Sequence, residues 1–185
     1  MAASENQQMK DLVAELIDQQ TRIFELLEFD ERPLPRAAAG DESLSAIDEW
    51  FAARGGWTPP SYREFLRVCD GVENFCVSYH LLGTSDLSTD AYEELSATVL
   101  EHWIGYDHDL EFPPILIGHD LETTTRVFLD FFHEQMREGE PVVFEGDPGN
   151  MTVHPSFGEF LTSRVETNRL TIRHLEELTA NPPQG

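Results

Sequence analysis

Asp107-His108-Asp109 and His119-Asp120 carry the oxygen and nitrogen donors that a divalent metal takes. Their spacing matches no known ligand set, so solvated loop charges are the plainer reading. Cys69 and Cys76, in a chain with seven histidines, hold the elements of a nucleophile–base pair. No motif flanks either cysteine. Cys69 also falls on an apolar helical stripe, which reads as a buried free thiol. Carboxylate pairs for acid–base work abound among 35 acids, but separation in space decides that chemistry. The sequence holds no phosphate-cradling loop, dinucleotide fingerprint or G-x-S-x-G turn. The reading is a binding protein and not an enzyme, with no catalytic residue, metal or cofactor assigned; a metal-dependent hydrolase is the weaker alternative.

Charge carries more. Twelve Lys and Arg stand against 35 Asp and Glu, a formal net charge of −23, and Lys10 is the single lysine. Such a surface repels nucleic acid and anionic membranes and steers basic partners toward itself, although acidic surfaces also serve plain solubility. From Val68 to Thr125 no Lys or Arg occurs, against twelve acids. The candidate partner-binding residues within that interval are Asp86, Asp90, Glu93, Glu94, Glu101, Asp107, Asp109, Glu111, Asp120 and Glu122, with Tyr106 as an aromatic anchor. Trp103 reads as the end of its own helix's apolar face.

The elements that position these residues are legible from periodicity. Trp57 to Gly71 is a helix marked at both ends: Pro59 and Pro60 suit its first turn, Thr58 is a candidate N-cap, and Gly71 a left-handed stop. Tyr62, Phe65, Leu66 and Cys69 form its apolar stripe. Glu5 to Phe29 is an amphipathic helix, Glu31 to Gly40 a proline-containing linker, and Ser43 to Arg54 a short helix with Leu44, Ile47, Trp50 and Phe51 inward. Phe75 to Leu82 reads as one strand, and Asp90 to Trp103 as a helix with Tyr92, Leu95, Val99 and Trp103 opposite Asp90, Glu93, Glu94 and Glu101. Acids without nearby Lys or Arg forgo the usual i,i+4 support, which hints at a partner.

Strands are expected at Ile115–His119, Arg126–Phe132, Pro141–Glu145 and Met151–Val153. A capping box, Ser156 with Glu159, opens a last helical region that carries a break near Asn168 and ends near Ala180. Helices before and after a block of strands predict an α+β fold. The expected architecture is a sheet of about 4–6 mostly antiparallel strands flanked by helices, with an extra N-terminal helix. Residues 1–40 read as that helix and its linker, and residues 41–185 as one globular unit. A chain of 185 residues can bury roughly 70% of its unfolded surface, enough for one core. The N-terminus lacks a basic region followed by an apolar one and no apolar run approaches a membrane span, so a cytoplasmic location is expected.

The order Pro60 through Gly71 (Pro-Ser-Tyr-x-x-Phe-Leu-x-x-x-Asp-Gly), Pro114 through Gly118, Leu129-Asp130, Pro141 through Phe144 and Phe157 through Leu161 resembles the SUKH superfamily, the Smi/Knr-type domain. The resemblance covers roughly Ser43 to Val165. It implies an α+β sheet flanked by helices and no shared active site. Bacterial members resemble immunity proteins that neutralise polymorphic toxins by binding them; fungal members regulate cell-wall synthesis. Where members carry a Gly-rich acidic loop, this chain has His119-Asp120-Leu121-Glu122-Thr123-Thr124-Thr125 without glycine, so no backbone-mediated contact is carried over to it. The expectation is an immunity-type protein covering a basic toxin domain, such as a nuclease, through its acidic surface. A regulatory interaction scaffold is the alternative.

Overall fold

The computed structural model describes residues 2–76, 79–104, 114–120, 122–131, 136, 139–147 and 149–181, with the side chains of 2–5, 100 and 102–104 left out. Among the described residues the elements run α1 (Ala2–Leu26), β1 (Leu34–Pro35), α2 (Asp41–Ala53), α3 (Pro60–Val68), β2 (Val72–Cys76), β3 (Tyr79–Leu81), α4 (Thr84–Leu87), α5 (Asp90–Ile104), β4 (Ile115–Asp120), β5 (Arg126–Asp130), β6 (Val142–Asp147), β7 (Asn150–His154) and α6 (Phe157–Ala180). The fold is α+β. Its strands form one seven-stranded sheet in sequence order, every neighbouring pair antiparallel.

Seven strands exceed the expected number for two local reasons. Phe75 to Leu82, expected as one strand, holds the end of β2, which starts at Val72, and all of β3, and the two pair antiparallel. Asn74 takes φ +53 where the register slips, a left-handed conformation that asparagine tolerates better than most residues. The run is rich in β-forming residues, and Ser78 is the one turn-favouring residue between Phe75 and Leu82, too weak a signal to split the strand. The second addition is β1. Leu34 and Pro35, expected as linker, pair with Glu73 and Val72 at the sheet's edge, the position where a proline without an N–H does no harm.

The core grows from α3. Tyr62, Phe65, Leu66 and Cys69 are each at most 2% exposed, and the rings of Tyr62 and Phe65 meet Phe157 of α6 at 5.0 and 5.2 Å. The Tyr62 hydroxyl donates to the Leu82 carbonyl at 2.6 Å, tying helix to sheet. Burial holds that phenol well above its ordinary range. Thr58 is not the cap of α3. Pro59 occupies that position, and the Glu140 carboxylate accepts from the Ser61 backbone N–H at 2.7 Å and its hydroxyl at 2.8 Å. A carboxylate at a helix N-terminus satisfies open N–H groups and complements the helix dipole.

Helix α1 lays Met9, Val13, Leu16, Ile23 and Phe24 into the core and packs against α6 and α3. Between α1 and α6, buried Gln20 donates to Asn168 Oδ1 at 2.9 Å. Asn168 thus has a tertiary partner, and α6 runs through it without the expected break. Asn168→Ala should cost about 1–3 kcal/mol by urea unfolding, because it strands a buried amide. Replacing both Gln20 and Asn168 by leucine should cost much less than that single change, since neither position then buries a polar group.

Candidate functional site

Seven of the candidate acids lie among the described residues, and tertiary contacts divide them. Asp86 belongs to the fold: its carboxylate accepts from the Gly83 N–H at 2.7 Å and from Arg36 at 2.6 Å. Arg36 also reaches Glu73 at 3.1 Å. Glu93 is ion-paired with Arg54, whose guanidinium lies 3.7 Å over the Trp50 ring. Asp120 organises the turn after β4, accepting from the N–H groups of Glu122 at 2.7 Å and Thr123 at 3.1 Å. Arg126 closes the same turn by donating to the carbonyls of Asp120, Thr123 and Thr125 at 3.0, 2.8 and 2.7 Å. The cation-free interval is therefore neutralised in part from outside, by Arg36 and Arg54.

What stays open is one stripe of α5. Asp90, Glu94 and Glu101 are exposed, and at the helical period their directions fall within about 40° of one another. None of the three carboxylates has an ion-pair partner among the described residues. The opposite face anchors the helix: Tyr92 and Val99 are 5% and 6% exposed, Leu95 packs against the core, and the Tyr92 hydroxyl donates to the Leu116 carbonyl at 3.1 Å. Glu122 is exposed in the turn at the far end of β4 from Ile115. Tyr106, Asp107, Asp109 and Glu111 lie outside the described residues, as does the Trp103 side chain.

A second charged group escaped the sequence reading. Glu145 of β6 is 6% exposed, ion-paired with Arg164 of α6 and 3.2 Å from His154 Nε2 of β7. Burial pushes His154 below its ordinary value, so its neutral ring donates Nε2–H to a carboxylate that only accepts. One signal was available. Glu145 shares a strand face with Val143, so the alternation placed an acid at a core position. On neighbouring strands His80 and His119 stack at 5.7 Å and 11°, and burial, followed by the charges of His80 and Arg126, lowers His119.

Cys69 is buried, its thiol pushed up to about 11 by burial, and it donates to the Gly71 carbonyl at 3.1 Å. A thiol with that value stays protonated at neutral pH. No group of three or more His, Cys, Asp or Glu close enough to hold a metal ion exists among the described residues. Asp107-His108-Asp109 fall outside those residues, and Asp120 is engaged in its turn. No described helix is long and apolar enough to cross a membrane. Comparisons with family models and with curated proteins find no match. The α5 stripe is thus judged by its chemistry alone: three solvated carboxylates on one helix face, suited to attract and seat cationic groups.

Proposed function

We propose that this chain is a cytoplasmic, stoichiometric binding protein of the immunity type, which neutralises a basic toxin domain by covering its positive surface. The single observation behind this is the α5 stripe, in which Asp90, Glu94 and Glu101 keep their charge while the neighbouring acids are paired. Proteins that act on nucleic acid present Lys and Arg where phosphate binds, so a nuclease is the partner class that an acidic cover fits best. The formal charge of −23 adds long-range attraction to the same partner and repels the nucleic acid itself. Likeness to Smi/Knr-type domains supports a role by binding and not by turnover. A regulatory scaffold could dock through the N-terminal helix, but Met9, Val13, Leu16, Ile23 and Phe24 of α1 are buried, with α1 packed against α6 and α3.

The test is capture of the partner from source cells on the immobilised chain, followed by assay of the partner's own activity. Inhibition that titrates to completion at one chain per partner supports the proposal. A captured partner that stays fully active at saturation overturns it and favours the regulatory scaffold.

A further inference from the structure

The seven-stranded sheet ends differently at its two sides. At one edge β1 is two residues long and contains Pro35, which blunts that side against further pairing. At the other edge β7 pairs with β6 alone, in continuous register from Asn150 to His154. An antiparallel strand turns the N–H and C=O groups of alternate residues away from its neighbour. Among the described residues nothing bonds those outward groups of β7. Edge strands are ordinarily protected by Lys, Pro, a bulge or a covering element. β7 reads Asn-Met-Thr-Val-His, with no Lys or Pro, and from Asn150 to Val153 its residues are exposed or half-buried. A row of open backbone groups asks for one ligand, an extended chain.

The side chains around the edge select the chemistry of that chain. Leu116, Phe128, Phe144 and Val153 stand in one register row across β4 to β7. Along the row, Leu116 and Phe128 are 0% and 1% exposed, Phe144 is half-buried and Val153 is 42% exposed. The apolar row thus reaches the edge uncovered, and an aliphatic residue on one more strand would cover Val153. On the opposite face Asn150 and Thr152 lie beside Asp147 and Glu145. Glu145 is paired with Arg164, whereas Asp147 has no ion-pair partner among the described residues. That face complements a cation. A second β7 would bring no Lys or Arg, and two chains of net charge −23 repel one another. We infer that the edge of β7 accepts an extended segment of a basic partner by strand addition, with Arg or Lys alternating with aliphatic residues. This deepens the reading of a basic partner given above and rests on it for the sign of the charge, while the surface is a different one from the α5 stripe.

The test is a nuclear magnetic resonance titration of the isotopically labelled full chain at neutral pH. The probes are a capped Arg-Val-Arg-Val-Arg peptide, its Glu-Val-Glu-Val-Glu counterpart, and two methylated forms of the first. One form carries methyl groups on both valine backbone nitrogens, the other on the three arginine backbone nitrogens. The arginine peptide should shift the amides of Met151 to His154 saturably, and bind about tenfold or more tighter than the glutamate peptide. Only alternate N–H groups of an added strand face β7, so one methylated form should bind within about threefold of the parent peptide. The other should lose about tenfold or more, because its inward hydrogen bonds are blocked. Val153→Lys changes an exposed side chain, so it should fold as the parent does and weaken binding about tenfold. Equal binding of the two methylated forms, with shifts centred on Asp90, Glu94 and Glu101, shows attraction by charge alone and overturns the inference. The absence of saturable shifts in β7 overturns it as well. Shifts in β7 that depend on protein concentration without peptide assign the edge to a second copy, and overturn the choice of a basic partner. Since the probes are synthetic peptides, failure here leaves the capture experiment standing, and an uninhibited captured partner leaves peptide binding at β7 standing.

Discussion

Gly83→Ala is expected to destabilise the protein by about 3 kcal/mol or to prevent folding. Gly83 does not need glycine for its backbone, since φ −107 is open to any residue. The obstacle is room. An added Cβ would stand 2.1 Å from the Asp70 carbonyl oxygen and 2.6 Å from its carboxylate oxygen Oδ1. Asp70 cannot withdraw cheaply, because its carboxylate accepts from the Thr84 N–H at 2.6 Å and the Thr84 hydroxyl at 2.7 Å. Gly71 is committed in the same place: it takes φ +92, and a Cβ there would lie 2.8 Å from the Gly83 nitrogen. The Asp70-Gly71 pair that follows α3 is thus the seat on which β3 turns into α4, and Tyr62 bonds the same turn at Leu82. Gly40→Ala, where nothing lies within 4 Å of the new Cβ, is the control and should cost no more than about 1 kcal/mol, the loss of a glycine N-cap on α2. Equal urea midpoints for the two variants would show that Asp70 and Gly83 do not approach so closely.

Reversing Asp90, Glu94 and Glu101 to lysine should slow association with the captured partner by about 10–100-fold at low salt, with the unfolding transition almost unmoved. All three side chains are exposed and hold no ion pair among the described residues, so the fold loses only the interaction of Asp90 with the N-terminus of α5, about 0.3–1 kcal/mol. The dissociation rate should change less, because rim charges act mainly through encounter. Raising the salt should compress the difference between parent and variant as the Debye length shortens from ~10 Å at 0.1 M to ~3 Å at 1 M. Glu93→Lys is a poorer probe, since it also breaks the pair with Arg54 that braces α5 against Trp50 of α2. Stopped-flow association at two salt concentrations decides the matter. A triple variant that associates as fast as the parent would remove the stripe from the binding face.

Local periodicity alone determined a good part of this molecule. The apolar spacing of Tyr62, Phe65, Leu66 and Cys69 and the two faces of α5 follow from a repeat of 3.6 residues, which is expressed within a few turns of one helix. The expected stop at Gly71 does not hold, since α3 ends at Val68 with Cys69 already extended at φ −152, and Gly71 takes its φ of +92 beyond the cap. Strands β4 to β7 and the Ser156 cap, which accepts from the Glu159 N–H, were legible from equally local signals, β-forming runs and the Ser-x-x-Glu pair. What only the tertiary structure decided is who meets whom. Asp86 and Glu93 looked unpaired because no cation stands near them in the chain; Arg36 and Arg54 reach them from 50 and 39 residues away. Glu140 caps α3 from 79 residues away, and β1 exists only because β2 offers it an edge. A run of like charges fixes the net charge of a segment but not its exposed charge, since that depends on which distant arginines the packing delivers. The reading narrowed accordingly, from an acidic interval to one stripe on α5, and it gained the open edge of β7, since which strand ends a sheet is settled by the pairing of all the others.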